Sequence, residues 1–227
     1  MKQLKMNYGK ITIFFFCLFI LFFDSRAQQV QEYLKIGFSA GVGTEFNNRN
    51  YTYTSQNIKL QFIKTVLNTN RFSYDFLVQP EFSLGTHQLL NLYFVKPDED
   101  NYLEKRELYT KRKVCKEYIV NIGMLMRYSF SKKASMYALG SVGPMYIDTE
   151  TERLSKGFAF ADVFALGFNY QVGKLILDVR PNVRHMSNAG LQPNNAGFNT
   201  KNIEFGQFIF QVKALKQFLN SVYVMFL

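Results

Sequence analysis

A histidine, a serine and an asparagine lie within the stretch RHMSNAGLQPNNAGFN, which spans residues 184–199. A serine becomes a nucleophile when a histidine base lies within hydrogen-bond reach, and a third polar group holds the imidazole in the required tautomer. His185 and Ser187 are two positions apart, so they share one face of a strand. Asn199 follows fourteen positions after the histidine. The spacing indicates a serine hydrolase site if the fold brings these side chains together; otherwise they are ordinary polar residues beside a loop.

The segments that would position these residues alternate between large apolar and small or polar side chains. In 174–187 the odd positions are apolar up to Val183, whereas most even positions are polar or charged. The same period of two runs through 72–84, 118–130 and 158–170, where only Asp162 interrupts the apolar face. This period predicts strands that have one apolar and one polar face. Eight such segments can be drawn, the second and the last being the least regular: 34–46, 57–67, 72–95, 112–130, 134–148, 157–171, 174–187 and 201–213.

The connections between these segments alternate in length, which favours a membrane barrel. Short turns at 68–71, 131–133 and 171–174 interleave with longer polar loops at 47–56, 96–111, 149–156 and 188–200. Short turns at one end and long loops at the other are typical of outer-membrane barrels. We therefore predict an all-β fold, an eight-stranded antiparallel transmembrane β-barrel with long extracellular loops and short periplasmic turns.

The charged residues of the strands support the barrel over its alternative, a secreted β-sandwich. In a sandwich the apolar faces would meet a second sheet; here those faces are long and aromatic, and the opposite faces carry charge. In a barrel of eight strands, side chains fill the interior and charges can pair there. The residues predicted to form such interior ion pairs are Asp75, Glu81, Arg127, Asp178, Arg180 and Arg184.

The N-terminus has the features of a secretory signal peptide. Lys2, Lys5 and Lys10 precede the apolar run ITIFFFCLFILFF, and the following DSRA predicts cleavage near Ala27. The chain then divides into a signal peptide, 1–27, and an outer-membrane barrel, 28–227. The tail 214–227 is either a further strand or a periplasmic extension. The net charge of +10 favours anionic partners; for an exported protein we expect a membrane surface and no nucleic acid.

Strand parity predicts where the candidate residues point. If the apolar odd positions of 174–187 face lipid, His185 and Ser187 face lipid as well. Asn199 shares parity with the apolar Ile203 and Phe205 and is expected beside His185. With the N-terminus in the periplasm, this strand runs upward and ends level with the outer leaflet. Polar groups that face a membrane are costly and usually functional.

The motif HMSNAG…PNNAGFN resembles the lipid A 3-O-deacylase (PagL) family, eight-stranded outer-membrane barrels with H-x-S-N-A near the end of the seventh strand. The resemblance covers about fifteen residues by motif and the mature chain by size and strand plan. It implies an outer-membrane enzyme of Gram-negative bacteria that removes the ester-linked 3-hydroxyacyl chain from position 3 of lipid A. The implied partners are lipopolysaccharide in the outer leaflet and the membrane itself, with a homodimer left open. No metal or cofactor is implied.

The resemblance also implies roles for individual residues. Ser187 would be the nucleophile and His185 the general base. Asn195 and the backbone N–H of Gly190 would stabilise the oxyanion, and Asn188 would be structural. The family's third member is typically glutamate, whereas this chain has Asn199. An amide can orient the imidazole but cannot stabilise the imidazolium with a full charge.

Two alternative functions stay open. Outer-membrane phospholipase A is similar in its H-x-S-N-G element and its asparagine third member, but it has twelve strands and uses calcium. A phospholipase or general lipid esterase is therefore the second enzymatic hypothesis, and an inactive structural or adhesive barrel is the third.

Two further features are interpreted from the sequence. The loop KPDEDNYLEKRELYTKRK ends in three bases that could contact lipid phosphates: Lys111, Arg112 and Lys113. The second histidine, His87, has no cysteine or carboxylate at ligand spacing and is interpreted as a surface residue. Cys115, alone after the signal peptide, is interpreted as a packing residue.

Overall fold

Eight antiparallel strands close into one barrel in the computed structural model, which describes residues 34–211. The predicted signal peptide and the tail 214–227 lie outside the described residues. Each strand pairs with its neighbour in the chain, and β8 pairs back to β1. The strands are β1 (Leu34–Glu45), β2 (Tyr51–Thr69), β3 (Phe72–Leu89), β4 (Lys113–Ser129), β5 (Ala134–Ile147), β6 (Gly157–Val172), β7 (Leu175–Ser187) and β8 (Phe198–Gln211).

The predicted fold class is confirmed, and so is the alternation of short and long connections. The connections β2–β3, β4–β5 and β6–β7 are tight turns at one end of the barrel. The other four, including the β7–β8 loop at 188–197, lie at the opposite end. A strand of about ten residues crosses a bilayer, so these longer strands extend beyond the apolar layer. Among residues 34–211, no helix is long and apolar enough to cross a membrane.

The alternation of side chains follows the prediction strand by strand. Outward positions carry exposed apolar and aromatic residues, for example Phe164 and Leu166 on β6. Inward positions are buried and hold charges that pair across the barrel. Arg127 lies 3.0 Å from Asp75, and Lys59 lies 3.2 Å from Glu81 and 2.8 Å from Glu204. The other residues predicted to form interior ion pairs also do so: Arg184 pairs with Glu81, and Arg180 with Asp178.

Three element boundaries were predicted wrongly. β2 begins at Tyr51 rather than at 57, because Tyr51 and Tyr53 point inward and pair with β3 up to Leu89. β3 ends at Leu89 rather than at 95, and β8 begins at Phe198 rather than at 201. The outward residues at the start of β2 are Thr and Gln, so the polar alternation there resembles a loop.

The predicted loop 96–111 contains a helix, α1 (Tyr102–Thr110). The inner side of α1 presents Tyr109, which packs against Leu89 and Val95 in a small apolar cluster above the strands. This cluster covers the long-loop end of the barrel at β3. The helix therefore arises from tertiary packing rather than from a strongly amphipathic sequence.

Candidate active site at the upper end of β7

The histidine and serine of the motif lie on the outward face at the upper end of β7. His185 is exposed and Ser187 is half-buried, whereas Arg184 before them and Met186 between them are buried in the lumen. The parity of the strand therefore directs the two side chains to the same outer surface, as predicted. Ser187 is the last residue of the strand, where the long β7–β8 loop begins.

Asn199 is brought beside His185 by the return of the chain along β8. The two residues are cross-strand partners in the β7–β8 register, and both are exposed. The Nδ1 atom of His185 lies 2.8 Å from the Oδ1 atom of Asn199. Because the amide oxygen can only accept, Nδ1 carries the proton and Nε2 is left as the basic nitrogen. This is the tautomer that a general base for a serine needs.

The loop that follows Ser187 is folded around the side chain of Asn188. Asn188 is fully buried, its Nδ2 donates to the carbonyl of Asn194 over 2.9 Å, and its backbone N–H donates to Oδ1 of Asn195 over 2.8 Å. The latter bond orients the amide of Asn195, so that its NH₂ group points away from Asn188. Asn188 therefore supports the loop, and exposed Asn195 presents an amide donor.

Gly190 has a backbone that only glycine adopts at low cost, with a φ of 79°. Its N–H donates to Oδ1 of Asn188 over 3.0 Å. The N–H expected to stabilise an oxyanion is thus directed at a side chain of the same loop. An oxyanion at this position would have to replace or share that bond.

The neighbouring β5–β6 loop, 148–156, holds the β7–β8 loop in place. Leu154 forms an isolated β-bridge with Asn195, and the guanidinium of Arg153 donates to the carbonyl of Ala196 over 3.0 Å. Gly197, with a φ of 66°, donates to the carbonyl of Arg153 over 2.8 Å. A Cβ at this position would meet the backbone oxygen of Met186 at 2.5 Å. The approach of the chain to Asn199 therefore depends on glycine at 197.

α1 also contributes to this loop assembly through Tyr109. The Nδ2 of Asn194 donates to the Tyr109 hydroxyl over 3.3 Å, and that hydroxyl donates to Glu150 over 3.4 Å. Burial raises the pKa of Tyr109, which keeps the phenol protonated as a donor. The long loops are thereby linked into one layer at the end of the barrel that carries His185.

The three basic residues of the predicted phosphate patch make different contacts. Lys111 forms an ion pair of 2.8 Å with Glu107 of α1. The ammonium of Lys113 donates to the carbonyl of Glu150 and lies 4.8 Å from the centre of the Tyr109 ring. Arg112 is exposed. Lys113 therefore has a structural role in the loop layer, and Lys111 and Arg112 stay accessible.

His87 was interpreted wrongly as a surface residue. It points into the lumen and is completely buried, with Nε2 2.8 Å from Glu152 and Nδ1 2.9 Å from the carbonyl of Thr52. Glu152 comes from the β5–β6 loop, 65 positions along the chain. The sequence could not reveal this partner, because it lies on a loop that folds back into the barrel.

Asp162 is a neighbour of the site that the sequence did not assign to it. It is the cross-strand partner of His185 in the β6–β7 register, on the opposite side from Asn199. In the sequence pattern, Asp162 is only a polar residue that interrupts the apolar face of 158–170. Parity between β6 and β7 would have suggested the pairing, but the register was needed to identify it.

Comparisons with known proteins cover most of the described strands and include the motif. The family described as "Lipid A 3-O-deacylase (PagL)" matches residues 73–207, a range that runs from β3 into β8 and includes His185, Ser187 and Asn199. No curated protein matches the chain.

Among solved structures, the outer membrane enzyme PagL is similar over 75% of this chain and 97% of its own, with 13% identity and a TM-score of 0.48. Neisserial surface protein A is similar over 79% of this chain and 97% of its own, with 8% identity and a TM-score of 0.43. The outer membrane protein OprG from Pseudomonas aeruginosa is similar over 79% of this chain and 93% of its own, with 11% identity and a TM-score of 0.38.

Proposed function

Because the chain belongs to the lipid A 3-O-deacylase (PagL) family, we propose that it hydrolyses the ester that links a 3-hydroxyacyl chain to position 3 of lipid A. The observation that carries this proposal is the outward-facing His185, whose Nδ1 is bonded to Asn199 at the upper end of β7, two positions from Ser187. The outer membrane is the compartment in which such a barrel meets lipopolysaccharide.

The reaction begins when a lipid A molecule diffuses in the outer leaflet to the outer surface of β7. The Oγ of Ser187 attacks the ester carbonyl carbon while its proton moves to Nε2 of His185. The tetrahedral intermediate then collapses, the bond to the 3-hydroxyl oxygen of the sugar breaks, and the imidazolium returns the proton to that oxygen. Water, activated by the same base, releases the free 3-hydroxy fatty acid and restores Ser187.

The developing negative charge on the carbonyl oxygen needs donors at the mouth of the β7–β8 loop. Asn195 supplies its NH₂ group, whose orientation is set by the bond from Asn188. Gly190 becomes the second donor if its N–H leaves Oδ1 of Asn188. One such donor contributes about 3 kcal/mol to stabilising the transition state. These steps require neither a metal ion nor a cofactor.

The long-loop layer would contact the phosphorylated head of the substrate. Lys111 and Arg112 are exposed there, and both can pair with phosphate oxygens. Lys113 is held by Glu150 and Tyr109 and would contribute charge to the patch rather than a direct contact.

Expression in a Gram-negative host with intact 3-O-acylated lipid A tests the proposal. In cells that express the protein without substitutions, we expect mass spectra of the lipid A to show loss of one 3-hydroxyacyl group. Ser187→Ala should lower the rate by at least about 10⁴-fold, so that the lipid A keeps its full mass. Ser131→Ala, in a turn at the other end of the barrel, is the matched control and should leave the reaction unchanged.

Two results would contradict the proposal. Release of fatty acid from phospholipid with unchanged lipid A would identify a phospholipase. Unchanged lipids in cells that contain the folded barrel would identify a non-catalytic protein.

A further inference from the structure

One carboxylate interrupts the apolar outer surface of β6. The other outward positions of this strand carry Phe158, Phe160, Phe164, Leu166, Phe168, Tyr170 and Val172. Asp162 is exposed among them and stands directly opposite His185 in the β6–β7 register. Side chains of directly opposed residues on one face have Cβ atoms roughly 5 Å apart. The aspartate is therefore placed within electrostatic reach of the imidazole.

A carboxylate on a lipid-facing surface is costly unless it has a use. The interior carboxylates of this barrel meet lysine or arginine, as Glu81 meets Lys59 and Arg184. Asp162 instead has a histidine as its cross-strand neighbour. The register thus gives the base two different neighbours, an amide on β8 and a carboxylate on β6.

The charged groups around His185 are few on the described strands. Asp162 is the charged residue on the outward face of β6, and Lys201 is the one on that of β8, opposite Val183. Arg153 approaches from the β5–β6 loop, where it bonds to the backbone that precedes Asn199. Asp162 is accordingly the anionic group that the neighbouring strands present to the imidazole.

We propose that Asp162 is a positioning residue for the hydrolysis described above, and that it supplies the negative charge that Asn199 lacks. The inference rests on the proposed function. When Ser187 bonds to the ester carbon and its proton moves to His185, the resulting imidazolium is stabilised by the carboxylate on β6. Asn199 fixes the ring through Nδ1. Orientation and charge, which a single glutamate provides elsewhere in the family, are divided between two strands.

Replacing the carboxylate by its neutral isostere tests the charge directly. We expect Asp162→Asn to lower kcat by roughly 10- to 30-fold, because the negative charge that stabilises the imidazolium in the transition state is lost. Asp98→Asn is the matched control, since Asp98 is exposed in the β3–β4 loop. Its rate should not change. An unchanged rate in Asp162→Asn overturns the inference.

Placing a carboxylate on β8 instead of β6 distinguishes an electrostatic role of Asp162 from a structural one. Asn199→Glu in the Asp162→Asn background should return kcat to within about threefold of the unmodified chain, because the reaction requires one anion beside the imidazole. In the otherwise unmodified chain, the same substitution should change kcat by less than about threefold for the same reason. A purely structural loss at 162 would not be repaired from β8, so persistence of the defect in the double variant contradicts the inference.

A spectroscopic measurement decides the inference without any substrate. The chain has only two histidines, His87 and His185, so ¹³C-labelled histidine gives two imidazole signals, and His185→Gln assigns them. In Asp162→Asn we expect the chemical shift of the His185 signal at a fixed pH to change, because the carboxylate opposite the ring is lost, with the His87 signal unaffected. An unchanged His185 signal in Asp162→Asn excludes the role of Asp162. Failure of the unmodified chain to cleave lipid A would defeat the proposed function separately.

Discussion

The lumen of the barrel and the outer surface of β7 both hold polar side chains away from bulk water, but the partners of those side chains differ between the two regions. In the lumen, charges of opposite sign meet directly: Arg184 contacts Glu81 and lies 3.7 Å from Glu117. On the outer surface, the imidazole of His185 bonds to a neutral amide and has a carboxylate as its cross-strand neighbour on β6. On β7, Asn182 and Arg184 point into the lumen, whereas His185, the residue after Arg184, points to the outer surface.

This difference distinguishes polar groups that hold the fold from those available for chemistry. A lumenal ion pair is already satisfied by the protein, so removing one partner leaves a buried charge unpaired. The outward cluster contributes little to holding the strands together, because backbone hydrogen bonds already join β6, β7 and β8. Changes in the lumen should therefore alter stability, and changes on the outer surface should alter rate.

The largest effect is expected in the lumen, from Glu81→Leu. The substitution leaves Lys59 and Arg184 without one of their carboxylate partners and removes the acceptor of Asn121. We expect it to destabilise the barrel by roughly 3–5 kcal/mol. Urea unfolding in lipid vesicles, followed by far-ultraviolet circular dichroism because the chain has no tryptophan, measures this loss. The rate per folded molecule should be preserved.

An exposed ion pair provides the control for this experiment. Glu107 and Lys111 are four positions apart at the end of α1 and are both well exposed. Exposed pairs contribute little to stability, so Glu107→Gln should leave the unfolding midpoint unchanged. Equal effects of the two substitutions would contradict the distinction between lumen and surface.

The opposite behaviour is expected of Asn199→Ala on the outer surface. Loss of the amide oxygen removes the acceptor for Nδ1 of His185, so the ring can turn and change tautomer. We expect kcat to fall by roughly 10²-fold, with little change in the unfolding midpoint. Asn70→Ala, in the β2–β3 turn, is the control for the loss of an exposed asparagine. A stability loss comparable to that of Glu81→Leu would show that the outer cluster serves the fold.

The parts of the molecule that follow a period of two could be predicted from the sequence. Alternation determined which side of each strand faces lipid, and it therefore predicted both the interior position of the charged Asp75 and Arg127 and the outward direction of His185. Turn lengths predicted which end of the barrel carries the long loops. These features depend on residues close together in the chain.

The features that were missed depend on contacts between distant parts of the chain. Glu152 reaches His87 from a loop, and α1 forms where Tyr109 finds an apolar cluster. The pairing of Asp162 with His185 requires the exact offset between β6 and β7, and a shift by two residues would preserve every parity and lose the pairing. Periodicity determines a side chain's face, whereas only the register determines its neighbour.

The smallest effect is expected in the loop layer, where we propose a contact with the phosphorylated head of the substrate. Replacing Lys111 and Arg112 by glutamine should lower the rate on phosphorylated lipid A by roughly three- to tenfold, because two exposed charges are lost from the predicted phosphate contact. The rate on dephosphorylated lipid A should not change. Adding Lys113→Gln should also lower stability, since this ammonium bonds to the carbonyl of Glu150. High salt should reduce the difference between the two substrates by screening exposed charges. Equal losses on both substrates would mean that these bases maintain the structure of the loop layer and do not contact phosphate. The outer surface of β7 would then be the sole determinant of substrate choice.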